Sequence, residues 1–374
     1  MKKHEVVETW IRNRIAESVL GPGDKLPSES QLCLQFGVSR NAVRLAIRHL
    51  CHEGVVQSIR GVGTFCRTRK PVTVLSANIG LVEYFIGSYI YPEVIRGCYN
   101  TLSRMGYALL LNQSEYNLEQ ERTILLELRK KKVGGIIISP IYGAGERSNA
   151  RLLEEMQEEG IAIVLCDDYF PGRNFSSVTL DYTICGEMAA AHLWKKGHRK
   201  IAIFYQKDFL IKANRMKGVL EYLGRQEAPV RAAWIVGFNG QGPHSEASDA
   251  AERFLKTVRE LPSAVVCGND EDALRLIEAA ERRGMRIPED LSVIGFDNSD
   301  IAQLDKISLT SVDHPSFMIG EKAASILLDK LFHPETKFVT RTIITPTLVE
   351  RSSVRSIEPA PPVPPSTLLQ RAGE

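Results

Sequence analysis

Asp167 and Asp168 follow the apolar run AIVLC, Asn269 and Asp270 follow AVVCG, and Asp297 follows VIGF. Asn214 and Arg215 are expected to open a helix after IAIFYQKDFLIKA. Adjacent carboxylates in such places could serve acid/base catalysis or hold a divalent metal. An acid after a strand more often caps a helix or anchors a turn, and Asp168 and Asp270 are read that way. Asp167, Arg215, Asn269 and Asp297 have a sharper joint reading. Carboxylates and a guanidinium can engage vicinal hydroxyls through directional hydrogen bonds, while an aromatic ring covers the apolar C–H face of a sugar. The stretch YFIGSYIYP offers Tyr89 and Tyr91 for that cover, and core packing is the competing reading for both.

Strands and helices must bring these groups to one edge. From Val72, VTVLSANIGLV, ALLLNQ, VGGIIIS and IAIVLCD read as strands, separated by the helical YPEVIRGCYNTLSRMGY, NLEQERTILLELRKKK and NARLLEEMQEEG. The rhythm restarts at TICGEMAAAHLWKKGH and runs through KIAIFY, NRMKGVLEYLGRQ, AAWIVGF, ASDAAERFLKTVRE, SAVVCGN and DEDALRLIEAAERRG to DLSVIGFD. Such alternation predicts parallel sheets covered by helices on both faces. Two similar α/β lobes should meet around residues 162–200, with strand carboxyl ends opening on a common cleft. No cofactor is expected: GVGTF and YGAGERS do not satisfy G-x-G-x-x-G after a strand, and GVSRN is no nucleophile elbow.

The first seventy residues follow a different grammar. Val6, Trp10, Ile11, Ile15 and Val19 mark one face of a helix that stops at GPGDKLP. Ser28 and Gln31 have capping-box spacing for a second helix, and Ser39 can cap a third. In the third, Val43, Ala46, Ile47 and Leu50 should face inward while Arg40, Arg44 and Arg48 recur every four residues beside Asn41. Arginine can read guanine edges and asparagine adenine in a DNA major groove. VVQSIRGVGTFC then predicts two short strands with Arg60 and Gly61 near the tip, a basic wing. A merely solvated arginine face is the plainer alternative.

The charge distribution agrees with this division. The 374 residues carry a net charge of +2, but residues 1–70 hold 12 Lys+Arg against 6 Asp+Glu. A polyanion contact confined to a basic head fits that asymmetry. The seven cysteines are scattered, without a CxxC pair, so free thiols in a reducing cytosol are expected. The charged start and the lack of a long apolar run predict no signal peptide and no membrane span.

LPSE, the FGVSR turn, V-R-x-A-I-x-x-L, the E-G pair and G-x-G-T-F resemble the winged helix-turn-helix of the GntR family. That resemblance assigns DNA contact to Arg40 and Arg44, with Arg60 helping at the wing and Lys3 near phosphate; Ser30 replaces an arginine common in the family. YPEVIRGCYNTLSRMGY, HLWKKGHRKIAIF, NRMKGVLEYL, the run Val266–Asp300 and LTSVDHPSFMIGEKAA resemble the effector-binding body of LacI/GalR repressors. In that family Arg215, Asp297, Asn269 and Asp167 match effector-binding positions; His314 stands where a polar residue sometimes lines the cleft, but the plainer reading is a turn histidine and it stays outside the expected site. The fusion resembles the arabinose repressors of Gram-positive bacteria.

The expected organisation is therefore a winged helix-turn-helix at 1–68, a linker at 69–74, a bilobed periplasmic-binding-protein-like body at 75–356 and a proline-rich, disordered tail at 357–374. The implied function is a cytoplasmic, homodimeric repressor of carbohydrate genes that binds double-stranded operator DNA and is released by a sugar, L-arabinose first. A corepressor mode, a sensor that does not repress and a sugar-modifying enzyme are the alternatives. No P-loop, HExxH or paired-glutamate arrangement supports the last.

Overall fold

A computed structural model describes residues 3–17, 19–21, 23–52, 55–59, 63–66, 77–87, 89–142, 148–240, 246–334 and 338–357. The chain divides into two compact units, Met1–Val74 and Leu75–Glu374. The expected linker at 69–74, the wing-tip residues Arg60 and Gly61, and the tail beyond Ile357 lie outside the described residues. Ile357, read from sequence as the first tail residue, donates its N–H to the Lys196 carbonyl at 2.7 Å and so belongs to the body.

In the first unit, α1 (Lys3–Ala16), α2 (Glu29–Phe36) and α3 (Arg40–His52) precede an antiparallel hairpin, β1 (Val56–Ile59) and β2 (Gly63–Cys66). Helix α1 buries Val7 and Ile11 completely; Val6, the expected start of that face, is only partly covered. Helix α2 begins in a full capping box between Ser28 and Gln31 and ends on Gly37, whose φ of 61° is the left-handed conformation that glycine adopts without penalty. Ser39 Oγ accepts from Ala42 N at 3.3 Å at the start of α3. Val43, Ala46, Ile47 and Leu50 are buried against α1, while Arg40, Asn41, Arg44 and Arg48 are exposed. The four-residue recurrence of the arginines thus separates a core face from a basic face.

The second unit is built on two six-stranded sheets. The first has the order β13-β7-β6-β5-β3-β4 and is parallel throughout, from β3 (Asn78–Glu83), β4 (Ala108–Gln113), β5 (Gly135–Ile138), β6 (Ala162–Cys166), β7 (Ser176–Leu180) and β13 (Arg341–Ile344). The second has the order β14-β12-β11-β10-β8-β9, from β8 (Ile201–Gln206), β9 (Ile235–Phe238), β10 (Ala264–Cys267), β11 (Ser292–Asp297), β12 (Thr310–Asp313) and β14 (Leu348–Val349). Only β14 runs antiparallel to its neighbour there. Helices α4 (Tyr91–Ser103), α5 (Leu118–Lys130) and α6 (Ala150–Glu158) belong to the first lobe, and α7 (Tyr182–Lys195), α8 (Leu210–Arg225), α9 (Ala247–Thr257) and α10 (Asp270–Arg282) to the second. The central strands are buried on both faces, as in Val265, Val266, Ile136 and Ile137, which is what a helix-covered parallel sheet requires.

The first passage between lobes falls between β7 and α7, within the expected region. The chain then returns: α11 (Ser316–Phe332) follows β12 of the second lobe but packs on α4, β5, β6 and β7 of the first. It passes a third time between β13 and β14. Helices α7 and α8 cross at very short range. A Cβ on Gly186 of α7 would lie 1.8 Å from the Arg215 carbonyl oxygen, and one on Gly218 of α8 would lie 1.9 Å from that of Thr183. These glycines seat α8 and therefore fix where Arg215 stands. Among the described residues no helix is long and apolar enough to cross a membrane.

Candidate functional site

A cavity of about 760 Å³ lies between the lobes and is lined by all six residues expected there: Tyr89, Tyr91, Asp167, Arg215, Asn269 and Asp297. Its floor is made by strand ends, as open α/β sheets arrange their sites. Asp297 is the last residue of β11, Asp167 follows β6, and Asn269 caps α10 after β10 by accepting from Asp272 N at 2.9 Å. Arg215 does not open α8 as expected; it is the sixth residue of a helix that starts at Leu210, so it reaches the cleft from the second turn.

Arg215 and Asp297 form a buried ion pair, each side chain 4% exposed. Arg215 Nη1 also donates to the Gly268 carbonyl at 2.9 Å, and its guanidinium carbon stands 4.8 Å from the Phe296 ring centroid and 5.3 Å from that of Tyr182. Burial alone would push the Asp297 carboxyl up, but the Arg215 guanidinium and then His314 hold it below the usual carboxylate range, so it is ionised at neutral pH. The Arg215 Nε–H is buried and has no hydrogen-bond partner among the described residues. A buried donor of that kind favours any ligand that can accept from it.

Tyr89 comes from the loop between β3 and α4 and crosses to the other lobe. Its hydroxyl donates to Asp297 Oδ2 at 2.6 Å and accepts from Asp270 N at 3.3 Å. Asp167 accepts from the Tyr182 hydroxyl through its carbonyl at 2.7 Å, and its Oδ1 lies 2.6 Å from His314 Nε2. Burial opposes charging of His314, yet Asp167 raises the imidazole above its ordinary value. Tyr89, Asp167 and Asp297 all have positive φ, at 62°, 66° and 95°. Three non-glycine residues in that region at one cavity are strained backbone, which persists where the surrounding structure overdetermines it and clusters at functional sites.

Asp270 anchors a turn: its carboxylate accepts from Ser299 N at 2.8 Å, Ser299 Oγ at 2.9 Å and Ser311 Oγ at 2.8 Å. Burial, reinforced by Asp297, pushes it up to about 7. Asp168 is likewise raised to about 7 by burial, and it accepts from Tyr169 N at 2.8 Å. Tyr91 combines both readings open in the sequence. It lines the cavity and packs edge-on to Tyr84 at 5.9 Å, within an aromatic wall that continues through Tyr116 to Phe209 of the other lobe.

Several lining residues lie outside the set expected from sequence. His314 lies at the end of β12, the same strand-end signal that singled out Asp297. Lys212, paired with Asp272 at 2.9 Å, stands one helical turn before Arg215 on α8. Glu271, Arg275 and Phe209 also line the cavity. Lys212 meets its partner from another helix of the same lobe, and Phe209 meets Tyr84 and Tyr116 from the other, so nothing in local spacing marks them.

In the first unit, Arg40 Nη2 lies 3.4 Å from Ser30 Oγ, and Arg44 Nε donates to both carboxylate oxygens of Glu29 at 2.9 and 3.2 Å. Helix α2 thereby orients Arg40 and Arg44, two of the three arginines of α3. Lys3 is exposed at the first residue of α1, and Asn41 is exposed beside Arg40.

Residues 3–66 match the model for bacterial regulatory proteins of the gntR family, and residues 190–354 match that for a periplasmic binding protein-like domain. The chain is 30% identical over 359 residues to an arabinose metabolism transcriptional repressor of Geobacillus stearothermophilus, covering 96% of this chain and 99% of that one. This chain belongs to that family of transcriptional repressors. A counterpart from Halalkalibacterium halodurans is 29% identical, with 87% of this chain and 88% of that one covered. In fold, the repressor's body is similar to a LacI family transcriptional regulator from Enterococcus faecium with bound ribose (TM-score 0.64, 23% identity, 75% and 100% of the two chains). It is also similar to a transcriptional regulator CelR–cellobiose complex (TM-score 0.65, 22% identity, 84% and 91%). The winged head, the bilobed parallel-sheet body and the family are those the sequence implied.

Proposed function

We propose that the chain represses carbohydrate-utilisation genes by binding operator DNA through residues 1–68 and is released when a small sugar, L-arabinose in the first instance, enters the cleft of residues 75–356. The observation that carries this reading is the Arg215–Asp297–Tyr89 network. It offers an ionised carboxylate, a fixed guanidinium with one unpaired N–H and an aromatic rim, all buried between two lobes. A polyol presents adjacent donors and acceptors that satisfy such a set, and a neutral sugar leaves the paired charges intact. The names of the two arabinose-repressor relatives support the choice of sugar, and the sugar-bound regulators of the same fold support the class.

Tyr89 supplies the switch in this account. Its hydroxyl occupies an acceptor position on Asp297, where a ligand hydroxyl would donate, so sugar and Tyr89 compete for one carboxylate oxygen. A ligand shifts a two-state body only through its different affinity for the two states. Exchange of the Tyr89 contact for ligand contacts provides that difference. Two heads joined by a two-fold body would read a paired operator, with Lys3, Arg40, Asn41 and Arg44 on DNA and Arg60 and Gly61 at the wing.

The two acids of the expected site are already engaged, Asp297 with Arg215 and Tyr89, and Asp167 with His314 and Tyr182, and Asp272 beside them is paired with Lys212. Calorimetry of the full chain against L-arabinose, ribose, xylose, glucose and cellobiose tests the reading. One L-arabinose per chain, bound most tightly and recovered unchanged, is the expected result. Absence of binding by every sugar, or conversion of one, would remove the proposal.

A further inference from the structure

The head carries a second constellation with a chemistry of its own. His4 and Glu8 stand four residues apart on α1, and His49 projects from the last turns of α3. One ligand atom from each lies within 4.8 Å of the other two. His49 Nδ1 is 2.9 Å from Glu8 Oε1, and the His4 and His49 rings meet edge to face with centroids 5.4 Å apart. The helices are held in register by the core beneath them, where Val7 and Ile11 pack on the face of Val43, Ala46, Ile47 and Leu50. The side chains of Glu8 and His49 are 15% and 47% exposed, so an ion can reach the group from solvent.

We propose that His4, Glu8 and His49 form a binding site for one divalent transition-metal ion of the zinc class. Two imidazoles and one carboxylate are a donor set that zinc accepts, with the fourth position left to water. Residues four apart on a helix place two donors on one side of the metal, a spacing that zinc helices use. Metal–ligand distances near 2.0–2.2 Å bring the three donor atoms to about 3.3 Å from one another in a tetrahedron. Closing from the observed spread calls for side-chain rotation at the half-buried His4 and the exposed His49. The hard cations are poorer candidates because two of three donors are nitrogen. Occupation cross-links the first turn of α1, whose backbone N–H groups lack intrahelical partners, to the helix that carries Arg40 and Arg44.

The test uses the untagged full chain, freed of metal with a chelator and titrated with cobalt(II), then zinc(II). The expected result is one cobalt ion per chain, with the visible absorption of a nitrogen–oxygen site, no near-ultraviolet thiolate charge-transfer band, and displacement by zinc. His49→Gln and, separately, His4→Gln should each weaken cobalt binding at least tenfold while the far-ultraviolet circular dichroism stays that of the parent. His49 is exposed, so its replacement leaves the core intact. No cobalt uptake by the parent chain, uptake unchanged in both folded variants, or a thiolate band implicating the cysteines would overturn the assignment.

Discussion

Replacing Arg215 with alanine is expected to abolish the sugar response while operator affinity stays close to that of the parent. Two losses add. The ligand loses the guanidinium, including its unpaired Nε–H, and Asp297 is left as a buried charge with only Tyr89 and its other neighbours to hold it. Breaking a buried ion pair on one side costs about 3–5 kcal/mol, so the body should also melt earlier. Sugar affinity should fall by two orders of magnitude or more, about 2.8 kcal/mol at 1.4 kcal/mol per decade. Calorimetry and a urea titration read the two effects separately. The double variant Arg215→Met, Asp297→Leu removes both charges and should recover much of the stability without recovering sugar binding. Unchanged sugar affinity in folded Arg215→Ala would take Arg215 out of the site.

Arg44→Ala is expected to act on the other half of the account. A side chain that reads a guanine edge contributes about 1–3 kcal/mol, so operator affinity should drop by roughly 5- to 150-fold with little change in sugar affinity. Glu29 holds Arg44 by its Nε edge, which leaves the two Nη groups for a base. Arg44→Lys keeps the charge but not the fork, and should not restore affinity for the specific site. The salt dependence separates this from a phosphate contact: loss of a phosphate contact lowers the slope of log affinity against log salt by about 0.9 and weakens all sequences alike. Equal operator affinity for parent and Arg44→Ala would remove Arg44 from the recognition surface.

These two residues also mark what was legible in the sequence. Arg44 lies on a helix whose buried and exposed faces alternate at helical spacing, and Ser28 and Gln31 announce the preceding helix by a local motif, so the head could be read residue by residue. Asp167, Asn269 and Asp297 were legible because each ends a buried apolar strand. The true start of α8, five residues before Arg215, is hidden in the sequence because the helix begins without a side-chain cap: its N-cap is Phe209. His314 carries no local mark because its decisive partner, Asp167, is 147 residues away and reaches it only after the chain has changed lobes. The return of α11 to the first lobe was hidden for the same reason. A long apolar helix packs on either sheet, and the choice is made by its fit to α4, where Gly97 and Gly320 allow backbone to approach backbone. Local periodicity specifies elements, whereas long-range contact decides which lobe they join.

The most direct test of the account is fluorescence anisotropy of the full chain on DNA from upstream of its own gene and its neighbours, at fixed salt, with L-arabinose added to the bound complex. The account predicts tight, sequence-specific binding that L-arabinose reverses, with no reversal in Arg215→Ala. Binding that no sugar alters, or that L-arabinose strengthens, would contradict it.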